Sequence, residues 1–307
     1  MYSLNDASAL ALLILLLVPG WLLAKEGVSG SVELEMGYGH DSNVSVDDVE
    51  LSTSLGDSYR DLGVGADIHF EPVEGLDLGA SFNLADKRYT TFDEFDGRLS
   101  LVSLSADKDL QGYSLGSSLR YIDYRLDGDA FLELLQFAPT ISWFPSTRVY
   151  IRLGYERSHE RFPEAVGRNN DQDQFDGSVY YFVNGLRHYW MVRLSVLRDS
   201  ADDPVFSNDS REARLVYHRE FTLFDRDTQI EVSYRFQNRR YDEGLEPSIR
   251  QYREDSRARF EIRGKYPVSK QLELELRALN ADNRSNLNSA DYEQNLVQLT
   301  LRYAMPF

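Results

Sequence analysis

Apolar and polar residues alternate with a period of two along most of the chain. In the segments 62–70, 76–84 and 230–236 every second residue is apolar or aromatic. Residues spaced by two lie on one face of a β-strand. Repeated segments of about ten residues with this pattern, separated by turns, are typical of strands that face lipid on one side and water on the other. The pattern therefore predicts a transmembrane β-barrel.

The alternation predicts fourteen strands, and an even number places both ends of the chain on the same side of the membrane. The predicted strands are residues 29–40, 58–70, 75–89, 96–107, 113–125, 133–144, 148–159, 176–185, 187–199, 211–222, 228–241, 254–266, 270–282 and 292–307.

The predicted connections alternate in length. Short links contain turn residues, as in 71–74, 109–112, 145–147 and 267–269. Long links are polar and acidic, as in 41–56, 161–173, 200–208 and 242–251. Short periplasmic turns opposite longer outer loops are the asymmetry of these barrels. We therefore expect an all-β fold, a single antiparallel up-and-down barrel of about 14 strands over residues 25–307. A soluble β-sandwich, which shares alternation and turns, is the alternative.

The N-terminal residues contain the only long apolar run, 10–24, which Pro19 and Gly20 interrupt. A run of about fifteen residues is too short to span a bilayer as a helix. It predicts a signal peptide over residues 1–24, with cleavage after Ala24. Because no other apolar stretch approaches twenty residues, only a closed barrel could carry this chain across a membrane. We expect the outer membrane of a Gram-negative bacterium, in contact with its lipid and lipopolysaccharide.

Composition narrows the function. The 307 residues have a formal net charge of −17 and no cysteine, and the mean hydropathy is −0.44. Lys and Arg are spread among acidic residues, so the chain lacks the segregated basic face that nucleic-acid binding needs. Without cysteine there are no disulfides and no thiolate metal sites. Among five histidines only His40, next to Asp41, suggests a catalytic pair, so we expect neither an enzyme nor a cofactor.

Two acidic loop segments have enough oxygen atoms to hold a divalent cation. They are Asp41-Ser42-Asn43 with Asp47-Asp48, and Asn169-Asn170-Asp171-Gln172-Asp173. Neither matches the twelve-residue calcium loop. We therefore expect solvated loop tips and no metal site.

Strand parity places many charges on the inner face of the C-terminal half. The basic candidates are Arg235, Arg239, Arg257, Arg259 and Arg263. One interpretation is structural: Arg and Glu side chains pair across a wet interior and stiffen the wall. The other is a basic stripe that guides an anionic solute or polymer, since rings or rows of Arg select anions and the guanidinium binds two oxygens of a carboxylate or phosphate.

The last residues also alternate and end in phenylalanine. This segment resembles the terminal signature of bacterial outer-membrane barrels, which the barrel-assembly machinery reads, and the matching residues are Val297, Leu299, Leu301, Tyr303, Met305 and Phe307. The resemblance implies this machinery as a partner. As the last strand must pair with the first, we expect Arg302 to face Glu33 and Glu35 at the closing seam.

The start of the barrel, Gly37-Tyr38-Gly39-His40-Asp41-Ser42-Asn43-Val44, resembles a segment that begins several bacterial barrel families. Two are similar: the fourteen-stranded barrel domain of surface lipoprotein assembly modifiers, and barrels associated with exopolysaccharide secretion. Assembly modifiers usually carry a periplasmic tetratricopeptide domain before the barrel, and we expect none here. We therefore expect a channel or export protein for solutes or an anionic polysaccharide. The alternatives are a component of a surface-lipoprotein assembly system and a structural or adhesive barrel that acts through its acidic loops.

Overall fold

A computed structural model describes residues 27–46 and 51–307, so the predicted signal peptide lies outside the described residues. Fourteen antiparallel strands form one closed barrel, in which the last strand pairs with the first. The all-β, fourteen-strand prediction is confirmed. The barrel strands, named β1 to β14 in chain order, are Val28–Asp41, Asp57–Val73, Leu76–Tyr89, Gly97–Leu110, Tyr113–Leu126, Asp129–Ser146, Val149–Arg161, Asn170–Phe182, His188–Ala201, Asn208–Leu223, Arg226–Glu246, Gln251–Pro267, Leu272–Ser285 and Tyr292–Pro306.

Many strands extend beyond their predicted ends, mostly on the side of the long loops. The predicted loop at 242–251 is wrong, because β11 continues to Glu246 and β12 begins at Gln251. Likewise β8 begins at Asn170, within a segment predicted as loop. The alternation of apolar residues reports only the part of a strand that faces lipid. Backbone hydrogen bonds continue the strand into water with polar side chains on both faces.

The connections differ between the two ends of the barrel. One end has short turns, such as the residues between β2 and β3 and between β10 and β11. The other has mostly longer loops, which contain the short 3-10 turns Asp93–Phe95, Val166–Arg168, Pro204–Phe206 and Asn288–Ala290. The short-turn end is the periplasmic end in barrels of this architecture. No helix in the described ranges is long and apolar enough to cross a membrane.

The outer face of the barrel is a belt of exposed apolar side chains. On β14 the outward residues Val297 and Leu299 are 53% and 48% exposed, whereas the inward Leu296 and Thr300 are buried. The same alternation exposes Leu, Val, Phe and Tyr on the other strands. A monomeric soluble protein does not expose so large a continuous apolar surface. The belt is therefore the lipid-facing surface of a transmembrane barrel.

Gly37 and Gly39 of β1 make room for larger side chains inside the barrel. A Cβ atom on Gly39 would lie 2.5 Å from Cζ of Tyr59, which belongs to β2. The Tyr59 ring lies across β1 and packs with Leu279 and Leu296 of β13 and β14, and its hydroxyl lies 3.3 Å from Oε1 of Gln298. The Gly-Tyr-Gly segment thus lets side chains from both neighbouring strands meet over β1.

Candidate functional site

A row of arginines crosses the inner wall of β9 to β12. Each of them is directly opposite the next in the strand pairing, in the order Arg193, Arg214, Arg235 and Arg259. On the other side of Arg193, Ser178 of β8 separates it from Arg152 of β7. We call these five residues, Arg152, Arg193, Arg214, Arg235 and Arg259, the arginine row. Neighbouring Cα atoms in such pairs are about 4.5–5.5 Å apart, so the row concentrates positive charge along one line.

The arginine row rises through the barrel wall. Arg152 is the fourth residue of β7 counted from the periplasmic end. Arg259 is the central residue of the 17-residue strand β12. Strands of such barrels tilt by about 35–45°, so a row perpendicular to the strands climbs from one membrane surface toward the other. The row therefore runs obliquely from near the periplasmic end to the middle of the wall.

Only part of this charge is neutralised by salt bridges. Arg193 Nη2 lies 3.1 Å from Oδ1 of Asp176, and Arg235 Nε donates a 2.7 Å hydrogen bond to Oε2 of Glu212. Arg152 and Arg214 form no salt bridge with the residues that the structure describes. Like charges directly opposite each other are destabilising in a sheet. This costly arrangement is typical of a site that interacts with something other than the wall itself.

The structure divides the five arginines that the sequence singled out into two environments. Four of them line one lumen cavity of about 290 Å³: Arg235, Arg239, Arg257 and Arg259. The fifth, Arg263, lies apart, with Nη2 2.7 Å from Glu261 and Nε 3.5 Å from Glu275. Arg263 thus has the contacts of the structural interpretation. The other four line space that a solute could occupy, and one of them, Arg235, also pairs with Glu212 of the wall.

The seam between β14 and β1 contains a dense network of charges. Arg302 is paired with Glu35 in the strand register, and its Nε lies 2.6 Å from Oε1 of Glu35 and 3.8 Å from Oε2 of Glu33. Its Nη1 also reaches Glu273 and Glu275 of β13, at 3.0 and 3.6 Å. One guanidinium thus contacts carboxylates on both neighbouring strands. The network connects the first and last strands of the barrel on the lumen side.

The outer side of the same seam is closed by the C-terminal residue. Backbone hydrogen bonds of 3.1 and 2.9 Å join Phe307 to Gly30 in both directions. A Cβ atom on Gly30 would lie 2.7 Å from Cζ of Phe307, so the ring rests on the glycine. The other alternating residues of the terminal signature also point outward, and Leu299, Tyr303, Met305 and Phe307 are all exposed.

The first acidic loop segment is a hydrogen-bonded cap. The buried Asp41 accepts hydrogen bonds from the backbone of Asn43 and from Nε2 of Gln294. Asn43 in turn donates to the backbone oxygen of Glu293 and accepts from Ser52. Asp47 and Asp48 lie outside the described residues. These contacts attach the first outer loop to β14.

The second acidic segment is neutralised on the outer wall. Asp171 lies 2.9 Å from both Nη2 of Arg157 and Nδ1 of His159, and Asp173 pairs with the same arginine. No group of three or more His, Cys, Asp or Glu residues within 27–46 and 51–307 is arranged to hold a metal ion. His40, which the sequence suggested as half of a catalytic pair, lies 3.3 Å from the hydroxyl of Ser58.

The sequence interpretation missed Arg152, Arg193 and Arg214. Each lies at an inward position of its strand, so the alternation of inward and outward positions could have identified them. Their strands mix apolar and polar residues on the inner face, as in Met191, Arg193 and Ser195. Because of this mixture, no single strand has a run of inward charges. Only the register between strands shows that the arginines are adjacent.

Comparisons with known proteins identify the class of protein by its fold. No protein-family model and no curated protein sequence matches the chain. Among solved structures, an anion-selective porin from Comamonas acidovorans has a TM-score of 0.52 at 10% identity, over 91% of this chain and 98% of the porin. The outer-membrane protein OmpT of Vibrio cholerae, in its trimer form, has a TM-score of 0.51 at 9% identity, over 91% and 100% of the two chains. These similarities are similarities of fold.

The closed barrel, its apolar belt and these structural relatives define an integral outer-membrane β-barrel. The protein belongs in the outer membrane of a Gram-negative bacterium, where barrels of this architecture reside.

Proposed function

We propose that the protein is an outer-membrane channel that passes anionic solutes or an anionic polysaccharide. The observation that carries this proposal is the arginine row, in which Arg193, Arg214, Arg235 and Arg259 occupy directly opposed positions on consecutive strands. A low-dielectric wall with charges of one sign concentrates counter-ions along it. Guanidinium groups bind carboxylate and phosphate through paired hydrogen bonds.

The opposite wall of the lumen has the other charge. The charged residues at inward positions of β1 to β4 are mainly carboxylates, with Lys87 as a cation among them: Glu33, Glu35, Asp41, Asp57, Asp61, Asp67, Asp77, Asp107 and Asp109. An anion in the lumen is repelled by this wall and attracted by the arginine row. The two walls together favour one path for negative charge, along the row.

The fold is compatible with this role. A barrel of similar fold is an anion-selective porin in Comamonas acidovorans. Fourteen strands lie between the small barrels that side chains fill and the sixteen-stranded porins with open channels. The expected lumen is therefore narrow, which brings a passing solute close to the arginines.

Planar-bilayer recording of the purified barrel tests the proposal. In a KCl gradient we expect single-channel currents with a reversal potential that shows chloride selectivity. The variant Arg214→Gln should lower the chloride-to-potassium permeability ratio by about sevenfold. Loss of a unit charge about 7 Å from the ion in water changes the energy of each ion by about 0.6 kcal/mol, with opposite sign for the anion and the cation. Arg211→Gln is the matched control, because Arg211 is on the same strand and points outward.

Two results would overturn the proposal. One is a current that is cation-selective and unchanged in Arg214→Gln. The other is the absence of any current from the folded barrel. The second result would favour surface-lipoprotein assembly or adhesion through the acidic loops.

A further inference from the structure

Six aromatic rings form a continuous group inside the lumen at its periplasmic end. They belong to five consecutive strands, β6 to β10, and we call them the aromatic ridge: Phe144, Tyr150, Tyr180, Phe182, Tyr189 and His218. All six occupy inward-facing positions of their strands. The lipid-facing rings at the same height, Tyr181 and Trp190, occupy the alternate positions and are exposed on the outer surface.

The rings of the ridge contact each other in sequence around the wall. Ring centroids are 4.8 Å apart for Phe144 and Tyr150 and 5.5 Å apart for Tyr150 and Tyr180. They are 5.9 Å apart for Tyr180 and Tyr189. The His218 ring stacks on Tyr189 at 4.8 Å, with an interplanar angle of 16°. The ridge is thus one surface and not a set of isolated side chains.

The ridge lies directly below the arginine row on the three strands that they share, β7, β9 and β10. On β8 the inward residues above Phe182 are Tyr180 and Ser178, and Ser178 is opposite Arg193. On β9 Tyr189 is four residues from Arg193, which corresponds to about 13 Å along a strand. A ligand that contacts the ridge can therefore reach the arginine row with its charged groups.

Part of the ridge presents aromatic surface to a wet lumen: Phe182 is buried by its neighbours, whereas Tyr150, Tyr180, Tyr189 and His218 are partly exposed. Phe144 is 61% exposed although it points into the barrel and not into lipid. Apolar surface in contact with water is unfavourable, and the ring faces can instead stack on an apolar surface of a ligand. The ridge crosses four strand intervals, or about 19 Å at the spacing of neighbouring strands. Such a length exceeds a single ring and suits a chain of several linked rings.

From this arrangement we propose that the ridge and the arginine row together bind an acidic oligosaccharide, which enters at the periplasmic end. Pyranose rings have apolar C–H faces that stack on aromatic rings, while their carboxylates carry the negative charge that guanidinium groups bind. The inference rests on the proposed channel function and names its substrate class: chains of uronic acid units or similar acidic sugars.

Block of the ion current by saccharides tests the proposal. Three probes are added on the periplasmic side: trigalacturonate, the neutral trisaccharide maltotriose, and benzoate as a single-ring anion. We expect trigalacturonate to block at the lowest concentration. The double variant Tyr180→Leu/Tyr189→Leu should raise its half-blocking concentration about tenfold, which corresponds to about 1.4 kcal/mol. Tyr181→Leu, the adjacent lipid-facing position, is the control and should leave block unchanged.

The arginine variant separates the two parts of the site. Arg214→Gln should weaken block by trigalacturonate and leave block by maltotriose unchanged, because maltotriose has no charge. The milder variant Phe144→Leu removes only the most exposed ring, and it should weaken block in the same direction as the double variant. Folding of each variant is checked by the shift of its gel mobility on heating.

Each failure has its own meaning. If chloride selectivity is present but the double variant is blocked like the wild type, the saccharide inference is wrong and the channel function stands. If benzoate blocks as strongly as trigalacturonate, the site is not built for a chain of rings, and the inference is again wrong. If no current exists, the channel function fails, and calorimetric titration of the detergent-folded barrel with trigalacturonate decides the inference. Binding that the double variant loses would support it, and no binding would overturn it.

Discussion

Arg302 on the last strand donates a 2.6 Å hydrogen bond from Nε to Oε1 of Glu35 on the first strand. The same guanidinium donates from Nη1 to Glu273 on the preceding strand at 3.0 Å. Its side chain is only 22% exposed. The first and last strands meet in the barrel wall without a covalent link. Arg302 therefore holds together, from inside, the strand pair that closes the barrel.

We expect Arg302→Gln to lower the free energy of unfolding by about 2 kcal/mol, the range for hydrogen bonds to charged groups. The substitution leaves Glu33, Glu35 and Glu273 close together without their common cation. Urea unfolding of the barrel in detergent micelles, followed by tryptophan fluorescence, measures the change. The double variant Arg302→Gln/Glu35→Gln should lose less stability than the sum of the two single variants, because the effects of substitutions at contacting residues are not additive. Strictly additive losses would contradict the direct pair.

Arg263 and Arg257 should differ although both are inward arginines of β12. Arg263 is within 2.7 Å of Glu261, so Arg263→Gln should destabilise the barrel by about 1–2 kcal/mol. Arg257 borders the 290 Å³ cavity, so Arg257→Gln should change stability by less than about 0.5 kcal/mol and lower chloride selectivity instead. Unfolding in urea and reversal potentials of the same two proteins provide the comparison. A reversed order of effects would show that the division between wall and cavity is wrong.

Gly39 should tolerate no side chain. A Cβ atom there would lie 2.5 Å from Cζ of Tyr59 and 2.9 Å from the backbone oxygen of Val297. We expect Gly39→Ala to destabilise the barrel by about 1–3 kcal/mol, as in other overpacked interiors. Gly264→Ala is the control, because no atom lies within 4 Å of the Cβ position there. Equal unfolding midpoints for the two variants would contradict the packing of Tyr59 over β1.

Phe307 provides a test of the terminal assembly signature. Its ring rests on Gly30 but is half exposed, and the backbone bonds to Gly30 do not need the ring. We therefore expect Phe307→Ala to reduce the amount of protein in the outer membrane of cells several-fold. Refolding of the purified chain into detergent should be almost unchanged, with a loss below about 1 kcal/mol. Equal losses in both assays would mean that the ring acts through stability and not through recognition.

The period-two alternation was sufficient to predict the class of fold and the number of strands. An apolar residue at every second position puts one face of each strand against apolar surroundings, and in this closed barrel those surroundings are lipid. The predicted barrel-closing pair also followed from order along the chain, since an antiparallel barrel must join its last strand to its first. Strand ends beyond the apolar belt could not be predicted, as for Glu246 on β11. There the backbone hydrogen bonds maintain the strand without any pattern in the side chains.

The candidate site depended on contacts between strands. Sequence parity identified Arg235 and Arg259 as inward residues, but not that they are opposite each other or that Arg193 and Arg214 continue the row. The sequence by itself determined which face of each strand a residue occupies, because alternation is a local property of the backbone. Only the tertiary structure decided which inward residues are neighbours, because strand register is set jointly by turns, bulges and packing along the whole wall.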